Sequence, residues 1–395
     1  MSNGKFVTIE KPYHSGRSHM KQAAAGMLCL VMLVGYSSVS LAEVPSPEAP
    51  PIAPAQELDK DVGQSSSEIQ ERGVFRLPPG GLRPLSIMPV PLPGEFIIET
   101  FGGYYLTAVN GGGRTTDVMH TDARRIGTWE KFRLSGTGSG QFAIQTASGN
   151  YVTAMNGGGL AMEAVHTDAV NIAAWEQFRM VPDQYGWRHA IQTVNGHYLT
   201  AVGTGGKSAD AIHADAQQTG NWEQFYIWKC GDLGTSQQYT LSAQSEPNGF
   251  VFAYGGGGRV NTRDGNFIFG TLGVLSNYKN RPRPFDNDWQ RFRLLRQPDG
   301  SYALQTSNGI NYVTAIKGGG QATGGPTWDT LVTDRTQVQA WERFRLVEQE
   351  GCTYVIQTPS GHYLGKNRAK TGIGKFATNI TDIHSATKFR LGMVF

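Results

Sequence analysis

The chain has little cysteine, no run of basic residues, no long apolar segment and no stretch that combines helical period with caps. Each shortage excludes something. Three cysteines are spread over 395 residues, and Cys29 falls inside an N-terminal leader. Cys230 and Cys352 remain, either joined or free and buried, because a disulfide needs Cα atoms about 6 Å apart and chain spacing does not decide that. Only 17% of residues are charged. Without the leader, 31 basic residues face 31 acidic ones, so the mature chain is neutral and lacks the electrostatic footprint that nucleic acid requires. The apolar run "MLCLVMLVGY" is about half the length that spans a bilayer, so an integral membrane protein is not expected.

That run has another meaning. Residues 1–42 hold four Lys or Arg, one Glu, the apolar run and then "SSVSLA", the order of a secretory signal peptide. The stretch before Met20 is long for such a leader, and "MKQAAAG" from Met20 would itself begin one. Cleavage is expected after Ala42. Residues 43–94 carry 11 of the 19 prolines, in "EVPSPEAPPIAPAQ" and "LRPLSIMPVPLPG", and read as an extended spacer. A secreted, periplasmic or extracellular protein is implied, and an oxidising compartment leaves a Cys230–Cys352 bond open.

From Phe96 the chain repeats itself, and a repeat decides architecture before any motif does. "IIETFGGYYLTAVNGGG", "AIQTASGNYVTAMNGGG", "AIQTVNGHYLTAVGTGG" and "ALQTSNGINYVTAIKGGG" are copies, with "VIQTPSGHYLGKNR" a weaker one. Units close on "WEKFRL", "WEQFRM", "WEQFYI", "WQRFRL", "WERFRL" and "TKFRL", giving six. Inside a unit, β-branched and aromatic residues alternate over short stretches between Gly, Asn and Asp clusters, as in strands. The second unit places four of them around "AIQT", "YVTAM", "AVHTD" and "QFRM". Three four-stranded units close one barrel with a hairpin cap and remove exposed sheet edges. The spacing therefore predicts an all-β chain of two barrels, residues 95–229 and 230–395.

The repeated order "IQT", "G-x-Y-L-T-A", "G-G-G", "W-E-x-F-R-L" resembles the β-trefoil repeats of the fascin-like group over roughly residues 96–395. The ricin-type trefoil is not resembled, since the Gln-x-Trp marker of that group is read as missing. The resemblance implies two tandem β-trefoil domains and brings in actin as a possible partner. Two trefoils rather than four, and export, depart from fascin itself, so actin would be met only by a factor delivered to a host. One fold hosts many activities, so function must be argued from sites.

His120 and Asp122 recur as His166 and Asp168 and as His213 and Asp215, each Asp seven residues before its Trp. In the second barrel Asp334 and Asp382 are read as the counterparts, with Val332 and Ile380 in place of His. An Asp that outlasts its His is most simply a turn former that accepts backbone N–H bonds. The His residues differ. Two apart on a strand, each His and Asp share a face, and the three pairs are related around the barrel axis. Two ligands per pair are too few for zinc, and no nucleophile accompanies them. They fit better as hydrogen-bonding groups in shallow sugar pockets, which would also need aromatic stacking.

The Gly clusters at 111–113, 157–159, 255–258 and 318–320 are expected to be turns of positive φ rather than phosphate cradles, with no Lys-Ser/Thr or helix after them. Tyr105, Tyr151, Tyr198, Tyr312 and Tyr363 are expected in the core. Function is sought where units depart from their consensus. The fourth unit inserts "LSNYKNRPRPFDND", bringing Tyr278, Arg281, Arg283, Asp286 and Asp288 close together, and the fifth carries Trp328 in "GGPTWDT". Aromatics beside Asp and Arg suit stacking on a sugar ring with hydroxyl hydrogen bonds. The expectation is a non-catalytic, lectin-like protein for a polysaccharide or cell-surface glycan, needing no metal or cofactor.

Overall fold

A computed structural model of the chain describes residues 90–244, 249–258, 272–275, 287–322, 330–367 and 373–395. The leader, nearly all of the proline-rich segment and most of the fourth-unit insertion lie outside the described residues. What is described is all-β, interrupted by single turns of 3-10 helix. Among the described residues no helix is long and apolar enough to cross a membrane.

The alternation read in the sequence becomes the inside and outside of closed rings. In Phe178–Pro182, Phe178 and Met180 are buried while Arg179 is exposed. Six such strands pair in a circle: Glu95–Thr100, Lys131–Gly138, Gln141–Gln145, Phe178–Pro182, His189–Gln192 and Phe225–Cys230, the last pairing back onto the first. A second circle runs through Ser236–Ala243, Arg291–Arg296, Tyr302–Gln305, Arg345–Gln349, Thr353–Gln357 and Lys388–Met393. A closed ring leaves no edge for another chain to extend. The phenylalanines of the closing motif, Phe132, Phe178, Phe225, Phe292, Phe344 and Phe389, are all fully buried in the core. Pairing begins at Val90–Pro91, which align with Gly136 and Ser135, inside the segment read as spacer.

Each unit also sends out a hairpin. In the first ring these are Tyr105–Ala108 with Met119–Ala123, Tyr151–Ala154 with Val165–Ala169, and Tyr198–Ala201 with Ile212–Ala216. The glycine clusters lie in the turns between hairpin strands, and their middle residues sit at φ 106 (Gly112), 101 (Gly158) and 102 (Gly205). They also interlock neighbouring units. A Cβ on Gly112 would lie 2.2 Å from Thr146 Oγ1, one on Gly158 2.3 Å from Thr193 Oγ1, and one on Gly205 2.6 Å from Thr100 Oγ1. The "GGG" of each unit thus needs glycine to seat the threonine of the next "QT", and the third unit closes onto the first.

Register corrects the reading of the sixth unit. Tyr363 pairs with Ile380, as Tyr105 pairs with Ala123, so Asn379 and Ala377 stand where Asp122 and His120 stand in the first unit. Asp382 lies outside the strand, and Ile380 does not replace a histidine. The repeated tyrosines differ from expectation as well. Only Tyr105 is buried, while Tyr151, Tyr198, Tyr312 and Tyr363 are half-buried, because each stands where a hairpin strand leaves the ring.

The two rings are joined directly. Cys230, at the end of the first ring, is disulfide-bonded to Cys352, with Cα atoms 4.8 Å apart across 122 residues. Beside it, Trp228 pairs with Gly392 and donates its indole N–H to Glu99 at 2.7 Å, and Arg390 meets Glu99 at 2.5 Å and the Tyr105 hydroxyl. Trp187 stacks on Phe250 with ring centres 4.2 Å apart. Phe395, at the chain end, packs edge-on against Phe142 and His189 of the first ring.

Candidate functional site

The His–Asp pairs are not built as the sequence suggested. His120 and Asp122 do share the outer side of their strand, but His120 Nε2 donates to Asp117 at 2.7 Å, three residues earlier. His213 likewise donates to Asp210 at 2.7 Å. His166 lies 4.0 Å from Asp168. The hydrogen bond from each histidine holds Asp117 and Asp210 below the usual carboxylate range. The cause is backbone conformation: Asp117, Glu163 and Asp210 occupy equivalent places in three units, with φ 49, 49 and 48. In the first and third units this left-handed residue turns the short Asp carboxylate back over the histidine, which period-two reasoning does not see, whereas in the second unit Glu163 stands there and His166 lies near Asp168 instead. These three acids line an axial depression of about 200 Å³.

The turn-former role of the other acids is corrected too. Of Asp122, Asp168, Asp215, Asp334 and Asp382, only Asp382 accepts a backbone N–H among the described residues, from His384 at 3.1 Å. Asp122, Asp168 and Asp215 are exposed, and Asp334 is mostly buried 3.9 Å from Arg335. In the fourth-unit insertion, Asp288 is exposed and paired with Arg291 at 3.0 Å. Tyr278, Arg281, Arg283, Asp286 and Trp328 lie outside the described residues.

A different set of side chains emerges from the closing motif. In "WE", the two residues face opposite ways. Glu130, Glu176, Glu223 and Glu342 are buried. Each accepts from the threonine of its "T-A" strand at 2.8–2.9 Å. Its second oxygen accepts a backbone N–H three residues earlier at 2.6–2.8 Å. With both oxygens held, the glutamate fixes the turn and directs the preceding tryptophan outward. Trp129, Trp175, Trp222 and Trp341 are accordingly 46%, 42%, 47% and 44% exposed, unusual for so large an apolar ring. Trp129 covers Gly111 and Trp341 covers Gly318, each 3.5 Å from where a Cβ would stand. The sequence marked these tryptophans as repeat boundaries and assigned them no role; their invariant Glu neighbour was the available signal.

Two depressions lie beside Trp341. An open depression of about 420 Å³ is lined by Trp341, Arg335, Gln337 and Gln339. It adjoins at Ala340 a second of about 600 Å³ lined by Asp299, Ser301, Arg343, Arg345 and Gln357. Hydrogen bonds from Ser301, and then from Arg343 at 3.2 Å, hold the Asp299 carboxyl at about 2. The Gln-x-Trp marker expected to be missing does occur, once, as Gln339-Ala340-Trp341, which corrects that reading. Among the described residues no group of three or more His, Cys, Asp or Glu is arranged to hold a metal ion.

No protein-family model and no curated protein matches the chain. Among solved structures it is similar to a mosquitocidal holotoxin, at 11% identity and TM-score 0.30 over 76% of this chain and 34% of that one. It therefore spans about a third of that toxin's length. A designed three-fold symmetric protein, ThreeFoil, is 14% identical with TM-score 0.31, over 34% of this chain and 97% of that one. The Haemophilus ducreyi cytolethal distending toxin is 12% identical with TM-score 0.28, over 40% and 82%. Overlaps this loose carry no argument about activity, and the architecture rests on the strand pairing.

Proposed function

We propose that the chain is a secreted, non-catalytic carbohydrate-binding protein built from two tandem β-trefoils, exported by a leader ending near Ala42 and carried on a proline-rich spacer. One observation supports the reading above others: the same half-exposed tryptophan, held outward by a buried glutamate, recurs in all three units of the first ring and in one unit of the second. An indole face next to polar loop groups stacks on the apolar side of a sugar ring while the loops take its hydroxyls. Several weak sites on one chain gain avidity for a polymer that each alone would hold poorly. The disulfide fits an oxidising compartment. His120, His166 and His213 with their acids, and Trp328 with Tyr278, Arg281, Arg283, Asp286 and Asp288, are secondary contributors in this reading.

The test is retention of the full chain on a panel of glycans and insoluble polysaccharides, with filamentous actin pelleting alongside. Saturable retention that weakens at least tenfold when Trp129, Trp175, Trp222 and Trp341 are all changed to Ala is the expected result. Pelleting with actin and no retention on any saccharide would instead make the fascin-like resemblance the guide to function.

A further inference from the structure

Resting on that carbohydrate reading, we propose that the Trp341 depressions take an acidic saccharide, one bearing carboxylate or sulfate groups. The fifth unit differs from the others in the charges it places there. Arg335 stands where the first three units have Ala123, Ala169 and Ala216, by their shared pairing with Tyr312, Tyr105, Tyr151 and Tyr198. Arg343 stands where they have Lys131, Gln177 and Gln224, and Arg345 continues the motif as Arg133 and Arg179 do. Arg335, Arg343 and Arg345 all line the two depressions that meet at Ala340 beside Trp341.

Their negative neighbours leave them largely unspent. Glu342 is buried, with both oxygens held by Thr314 and the Gln339 N–H. Asp334 approaches Arg335 only at 3.9 Å, and Asp299 takes one nitrogen of Arg343. Arg343 Nε is buried, so Arg343 meets a ligand through its terminal nitrogens. No carboxylate stands within ion-pair distance of exposed Arg345 among the described residues. A guanidinium offers a planar fork that matches carboxylate and sulfate oxygens, while Trp341 supplies the stacking face. Gln337, Gln339 and Gln357 add amides suited to hydroxyl groups. A neutral sugar would leave the guanidinium forks unanswered, whereas an acidic one engages ring and charge together.

The experiment measures affinity of the full chain for a polyuronate, a sulfated glycosaminoglycan and a neutral polysaccharide, at low and moderate salt. Arg335→Gln/Arg345→Gln and Trp341→Ala are compared with Arg179→Gln, which removes a matching exposed charge from the first ring. Expected is at least one acidic polymer bound more tightly than the neutral one, with affinity falling as salt rises. The double arginine variant should weaken acidic binding about tenfold or more and spare neutral binding, with Arg179→Gln unchanged. The two acidic polymers tell carboxylate from sulfate. Binding of neutral polymer alone, or acidic binding equally reduced by Arg179→Gln, overturns the acidic assignment and leaves the carbohydrate reading standing. Binding of none of the three overturns both.

Discussion

Lys229 is buried and gives its hydrogens only to main-chain carbonyls, Cys230 O at 2.7 Å and Glu95 O at 3.3 Å. Burial pulls its pKa down from 10.5 to about 8. The unfolded chain therefore holds a proton that the folded chain releases between those values, so stability rises with pH across that window. The gain is about 2–3 kcal/mol between pH 8 and 10, before tyrosines that burial pushes upward, such as Tyr239, begin to oppose it. Urea midpoints should follow that slope in the wild type and lie flat in Lys229→Met; a variant with the same slope would remove Lys229 as its cause. His189 acts at the other end of the scale. Buried against Phe395, it is drawn down from 6.5 to about 4 by loss of water around the ring. The contribution of His189 is complete above pH 6.5 and falls by about 3 kcal/mol as pH drops toward 4. His189→Leu should flatten that part of the acid unfolding profile relative to wild type.

At the scale of the element, the turn of each hairpin carries the unit-to-unit contact. Gly158 combines φ 101 with a Cβ position 2.3 Å from Thr193, whereas Gly149 has φ 91 and nothing within 4 Å. Gly158→Ala should cost about 2–4 kcal/mol, strain and overlap together, and Gly149→Ala about 1 kcal/mol from backbone strain alone. Equal losses in chemical denaturation would mean that the threonine contact contributes nothing. Such turns were readable as positive-φ positions because glycine clusters have local meaning. Their threonine partners were not, since each belongs to the next unit. The same limit explains the histidines: Asp122 is near His120 in sequence and on the same strand face, but a left-handed turn at Asp117 puts a closer carboxylate in reach.

On the scale of the whole molecule, six copies of one unit made an all-β, multi-strand architecture legible, because inward phenylalanines and alternating strands recur in the same order within each unit, even where an insertion lengthens it. The contact between the rings was not legible, as Glu99, Trp228 and Arg390 are far apart in sequence and show no local pattern. The disulfide across that contact closes a loop spanning 122 residues of sequence. Cys352→Ser should lower unfolding stability by about 4–5 kcal/mol on the chain-entropy estimate, measured against the oxidised wild type. The outward tryptophans were visible only as markers, since exposure of a large ring depends on where its glutamate neighbour is held.

Calorimetric titration of the full chain with a short oligosaccharide of the polymer it retains bears most directly on those tryptophans. Stoichiometry should fall by about one site for each engaged tryptophan changed to Ala, with a folded, disulfide-bonded chain each time. Saturable binding whose stoichiometry and affinity ignore all four substitutions would contradict the assignment of these side chains as the binding surface.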